Sequence, residues 1–176
     1  MTGSKEFIRS MTLSTKRLSK EALKFDEKNK EYKFYHRTLS EMWNLIGNNG
    51  ILLNPIRYSV KAQKIFTTSK LRKQGFQSLS ELKWDEWRKL KGQDEFLLLN
   101  DLMWEHAYTR SDFASDAIEI VRYGKNVNDK LGELIKKHQI IWITREENKC
   151  LTKHGYRSHR PNGWETAYEE CEIELV

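Results

Sequence analysis

Glu105 and His106 are adjacent, and Arg110 follows four residues later. These side chains have the types needed for metal-assisted phosphodiester hydrolysis. A histidine that titrates near neutrality serves as general base or metal ligand, a carboxylate holds Mg2+, and a guanidinium stabilises charge on the phosphoryl oxygens. On one continuous helix, His106 and Arg110 share a face. A plainer explanation competes, since the helix dipole favours cations at a helix C-terminus whether or not they do chemistry.

Two further constellations belong to the same chemical class. Glu147-Asn-Lys149 directly follows an apolar run that ends at Thr144. It resembles the Glu-x-Lys half of restriction-type nuclease sites, which implies carboxylate-held Mg2+ and a lysine beside the attacking hydroxide. No upstream aspartate on a strand completes it, and Thr144-Arg-Glu-Glu147 also has the spacing of a capping box, in which the glutamate closes a helix N-terminus. His106, Asn128 and His138 supply in order the residue types of the His-Asn-His nucleases. That resemblance covers three residues, and the ββα unit it implies needs a hairpin where this chain has helical patterning.

The segment 149–160 carries Lys149, Lys153, Arg157 and Arg160 together with His154 and His159, and holds no acid. Guanidinium groups fork onto phosphates and an aromatic ring stacks on a base, so Tyr156 within such a loop suits nucleic acid. Residues 1–37 add ten Lys/Arg against five Asp/Glu, within a chain of net charge +6. Neutralising phosphates with such cations releases counterions and gives affinity without base readout. The expected function is therefore nucleic-acid binding, DNA or RNA, with Lys149, Lys153, Arg157, His159 and Arg160 on phosphates, Tyr156 for stacking, and the basic N-terminal region assisting. Two alternatives stand beside it. One is a small Mg2+-dependent nuclease built on His106, Arg110, Glu105 and Glu147. The other is an adaptor or inhibitor, of the kind a phage or mobile element encodes, whose basic surface meets an acidic protein. A helix pair around Gly75 has the turn glycine of a helix-turn-helix, but Trp84, Asp85 and Glu86 suit a recognition helix poorly.

These residues need a scaffold, and 176 residues with 38% apolar and 32% charged content are the size of one folded domain with a charged surface. No apolar run reaches the roughly 18 residues of a membrane span, and Lys5 and Glu6 fall where a secretory signal would be apolar. A cytoplasmic protein with no membrane partner is expected. Cys150 and Cys171 lie outside any Cys-x-x-Cys pattern, so neither a disulfide framework nor a cysteine zinc site is expected.

The patterning places a lysine-rich helix from about Ser19 to Tyr35, so that 1–37 forms a basic arm or peripheral helix. A capping box at Thr38-Leu-Ser-Glu41 opens a helix that Gly47-Asn-Asn-Gly50 stops, and Ile51–Leu53 is extended. Helices are expected over 58–73 and 78–92, and the apolar run 96–108 reads as a central buried helix. Further helices start at Ser111-Asp112 and at Asn126. Ile140–Thr144, with its consecutive β-branched and aromatic residues, reads as a strand buried on both faces. A helix then runs to His154 before Gly155, another covers 164–170, and Glu172–Val176 alternates as an edge strand. The expected fold is α+β and predominantly helical, with about seven helices around a small two- or three-stranded sheet, and 38–176 as one globular domain.

Overall fold

Ile140–Thr144 is the middle strand, β3, of a three-stranded mixed sheet in the computed structural model, which describes residues 2–48 and 53–176. Strand β1 (Arg57–Tyr58) pairs parallel to it, Arg57 opposite Ile141, and strand β2 (Leu102–His106) pairs antiparallel, Trp104 opposite Trp142. Every residue of β3 is buried, as a strand covered on both faces requires. Its alternating side chains serve two cores. Ile140 and Trp142 join Phe66, Trp87, Phe96, Leu99 and Trp104 on one face, while Ile141 and Ile143 join Leu151, Tyr168 and Ile173 on the other. Burying each of these large side chains stabilises the fold by about 1.5–3 kcal/mol.

The first face is covered by helices α3 (Val60–Thr68) and α4 (Trp84–Leu90) and by short 3-10 turns. The second is covered by α7 (Arg145–Lys153) and α8 (Gly163–Glu170). Beside the sheet, α1 (Thr2–Ala22), α2 (Lys30–Asn48), α5 (Arg110–Tyr123) and α6 (Val127–Lys136) pack on one another. Met11, Trp43, Ile46, Phe113 and Leu131 form the centre of that helical layer. The fold is thus predominantly helical α+β, as the sequence patterning predicts. Among the described residues, no helix is long and apolar enough to cross a membrane.

Several elements differ from the sequence expectation. The single helix expected from Ser19 to Tyr35 is divided between α1 and α2, because the Asp26 side chain accepts the Lys28 backbone N–H at 2.9 Å and turns the chain. Thr38 lies inside α2 and donates its hydroxyl to the Phe34 carbonyl at 2.8 Å instead of capping a helix. The buried face of α1 includes Thr12, Thr15 and Ser19, and small polar residues in that stripe hide its helical period. The apolar run 96–108 instead begins in short 3-10 turns over Asp94–Asp101, broken by a non-helical Phe96 (φ −119°, ψ 21°), and continues as β2. A buried helix and a buried strand share the same hydrophobic signature over such a length. The extended segment expected at Ile51–Leu53 lies, apart from Leu53, outside the described residues. The C-terminal tail runs antiparallel beside β1, the Val176 N–H donating to the Tyr58 carbonyl and the Val60 N–H to that of Glu174, but it makes an isolated bridge at Ser59 and Leu175 instead of the edge strand expected over Glu172–Val176, whose first residue turns at φ +52°. Thr144 does cap α7 as the spacing predicts, and Gly155 adopts φ +83° just past its end.

Candidate functional site

The seam between the helical layer and the sheet opens into a cleft of about 370 Å3. It is lined by Asn44 and Asn48 of α2, by Met103, Glu105 and His106 of β2, and by Trp84, Arg110, Asn148 and Arg157 among others. Three of the four candidate catalytic residues, Glu105, His106 and Arg110, therefore meet here, and Arg157 joins them from the basic segment. They do so by a different route from the one expected. His106 ends a strand, and Arg110 opens α5 after Thr109, whose side chain accepts the Asp112 backbone N–H at 3.1 Å.

The cleft is built on close packing. At Gly47 of α2, an added Cβ would lie 2.9 Å from Ile140 Cδ1, 3.0 Å from His106 Cε1 and 3.3 Å from His138 Cε1, so glycine is what lets α2 approach the strand ends. The His106 and His138 rings meet edge to face, with centroids 5.5 Å apart, and Trp43 packs against His138 at 4.6 Å. Burial pushes His106 down to about 3, aided by His138 and by the Arg110 and Arg160 charges. Burial likewise pushes His138 down to about 4, with the Trp43 backbone opposing. Both rings are neutral at pH 7. A base this weak is poorly matched to neutral-pH proton abstraction, which is most effective with a pKa near the working pH.

Among the described residues, Glu105 is the one carboxylate that lines the cleft, and it is bound to Arg160. Burial raises its carboxyl above the ordinary range, while the Arg160 charge and hydrogen bond oppose the shift. Arg160 is itself buried, at 6% exposure. Its guanidinium donates to the carbonyls of Tyr156 at 3.1 Å and His106 at 3.2 Å, to that of Ala107 and to Glu105, and it lies over the Tyr168 ring. Its backbone N–H reaches Asp112 Oδ2 at 3.0 Å. The expectation that Arg160 meets phosphate is corrected by this packing, which turns the side chain inward to tie the loop to β2.

The other candidates divide in the same way. His159 pairs with the buried Asp112, and Tyr156 donates its hydroxyl to Glu170. Glu147 is not among the cleft residues. Its Oε2 accepts the Thr144 N–H at 2.7 Å, the Thr144 hydroxyl at 3.0 Å and the Ser59 hydroxyl at 2.8 Å. Glu147→Ala would orphan these donors, and we expect a loss of roughly 2–3 kcal/mol in a urea titration. A Glu147→Ala chain as stable as the parent would show that the carboxylate does not hold the cap. Asn128, on α6, accepts from Lys16 at 2.8 Å rather than orienting a histidine. Lys149, Lys153 and Arg157 remain exposed, and Arg157 has no hydrogen bond or ion pair among the described residues. Arg110 pairs at the surface with Glu41, 3.5 Å away.

A second cluster is one that sequence motifs do not show. Cys150 and His154 lie one turn apart on α7, and Cys171 arrives from the end of α8, so that their ligand atoms lie within 4.8 Å of one another. The i, i+4 spacing of Cys150 and His154 is visible in the sequence, but the third member comes from a different helix. Compared with models of known protein families, with curated proteins and with solved structures, the chain matches none.

Proposed function

We propose that the chain binds nucleic acid, with Arg110 and Arg157 holding phosphates at the cleft and Lys149 and Lys153 extending the contact along the exposed side of α7. The observation that supports this reading is the convergence of two surface guanidinium groups from distant parts of the chain on one polar cleft. The single carboxylate there is already neutralised by Arg160. Guanidinium forks pair with phosphate oxygens in a bidentate way. Asn44, Asn48 and Asn148 supply amide donors and acceptors beside them, and Trp84 offers an indole face on which a base can stack. The contacting set is thus Arg110, Arg157, Lys149 and Lys153, and the roles expected of Tyr156, His159 and Arg160 pass to the cleft. A binding role fits the site better than a nuclease role, because His106 is a weak base and the described lining residues offer one carboxylate for Mg2+.

Fluorescence anisotropy with labelled single- and double-stranded DNA and RNA, at low and physiological salt and with or without Mg2+, tests the proposal. We expect affinity that falls steeply with salt. Arg110→Ala/Arg157→Ala should bind about 10- to 100-fold more weakly, with the salt slope reduced by about 2. Oligonucleotides shortened in the presence of Mg2+ would move the assignment to a nuclease. Indifference to every nucleic acid at low salt would sink it and leave the basic surface to an acidic protein.

A further inference from the structure

We propose that Cys150, His154 and Cys171 bind a thiophilic divalent transition metal, with Zn2+ the natural occupant, and leave a fourth position for water. The geometry carries this assignment. His154 Nδ1 lies 3.5 Å from Cys150 Sγ and 3.7 Å from Cys171 Sγ. A tetrahedral Zn2+ about 2.3 Å from sulfur and about 2.0–2.1 Å from nitrogen sets S···N separations of about 3.6 Å. Helix periodicity places Cys150 and His154 on one face of α7. Cys171 is buried at 7% exposure and sits in the apolar cluster with Leu151, Ala167, Tyr168 and Ile173. His154 is exposed. The site is therefore walled by protein at Cys171 and open to solvent at His154, with Cys150 half-buried between them, which suits three protein ligands and one water.

The surroundings accommodate an ion. His154 Nδ1 lies 3.0 Å from the Cys150 carbonyl, so the metal would replace the proton on that nitrogen. The carbonyl is not orphaned, since it also accepts the His154 backbone N–H at 3.0 Å. Tyr156 lies nearly parallel to the imidazole, with ring centroids 6.4 Å apart. Two thiolates and an imidazole select Zn2+ or a comparably soft ion over Mg2+ and Ca2+. His154 and Cys171 also bracket the segment that carries Arg157 and Arg160, so a bound ion ties α7 to the end of α8 and closes that loop at its base. This inference does not depend on nucleic-acid binding, since none of the three ligands lines the cleft.

The test uses the full chain, kept reduced and stripped with a chelator, then titrated with Co2+ and with Zn2+ in competition with a chromophoric chelator. We expect one equivalent of Co2+ to produce a near-ultraviolet thiolate charge-transfer band and strong tetrahedral ligand-field bands, with Zn2+ displacing it at a Kd of about 1 µM or tighter. Cys150→Ser and His154→Ala change half-buried and exposed positions that should leave the fold intact, which circular dichroism checks. Each should weaken binding at least about 100-fold, and Cys150→Ser should shrink the charge-transfer band. Absence of that band in the reduced parent chain would overturn the proposal. So would binding that survives both substitutions, or a chain that takes up no metal but forms a Cys150–Cys171 disulfide once reductant is removed.

Discussion

Arg160→Ala is expected to destabilise the chain by about 3–5 kcal/mol, measured as a lower midpoint in urea unfolding. The buried guanidinium serves the carbonyls of Tyr156, His106 and Ala107 and the carboxylate of Glu105. Truncation leaves the buried carboxylate uncompensated and the carbonyls without their donor, and this is the costly way to break a buried ion pair. With typical domain stabilities of about 5–15 kcal/mol, much of the fold's margin would go. Arg160→Lys should rescue little, since an ammonium lacks the planar fork that reaches all four acceptors. Arg157→Ala, three residues earlier and exposed, should change stability by less than about 0.5 kcal/mol. An Arg160→Ala chain as stable as the Arg157→Ala chain would show that the inward guanidinium contributes nothing. The contrast has a practical side, because a binding defect in any variant that lacks Arg160 would report unfolding rather than lost phosphate contacts.

The second large effect is acid sensitivity. His106 and His138 have folded pKa values pushed down to about 3 and about 4 from the ordinary 6.5. Below pH 6.5 the unfolded chain takes up protons that the folded chain refuses, so stability falls progressively from about pH 6.5 toward pH 4 and below. Each tenfold difference in proton affinity between the two states is worth roughly 1.4 kcal/mol, so the pair places a loss on the order of several kcal/mol in that window. Glu105 works in the opposite direction. Its raised carboxyl takes a proton in the folded state before the unfolded one does, which offsets part of the loss. Urea midpoints measured from pH 7.5 to 4 should decline, and His138→Phe or His106→Gln should flatten the profile. A parent chain whose midpoint holds steady from pH 7 to 4.5 would rule out the buried neutral pair.

How far the sequence foretells this depends on whether a signal is local. The capping box of Thr144 and Glu147 and the strand Ile140–Thr144 are local patterns, and both form where the spacing places them. The run 96–108 reads as a helix yet ends in a strand because its neighbours, not its own composition, decide between the two. Once β3 is central, a second buried segment can satisfy its backbone by pairing with it, and β2 does so. The site residues follow the same rule. Charge at Arg157 and at Arg160 looks identical in the sequence, yet one is exposed and the other buried, because only Arg160 has Glu105 and three carbonyls waiting for it. The Cys150–His154–Cys171 cluster has no sequence motif, since α8 must pack against α7 before Cys171 comes within reach.

The strand order β1-β3-β2 also has a kinetic consequence. The middle strand is the last of the three to leave the ribosome, and its partners lie far upstream, with Arg57 facing Ile141 and Leu102 facing Thr144. The chain must lose the entropy of closing long loops before any strand pairing rewards it, which makes sheet formation a slow event in folding. During synthesis β1 and β2 wait with unpaired edges and the surrounding tryptophans unburied. A nascent chain that stalls before residue 144 therefore carries unpaired strand edges that invite aggregation, and the helical layer offers no local refuge from it, since Trp43 waits for Phe113 and Leu131 to be made before its own core closes.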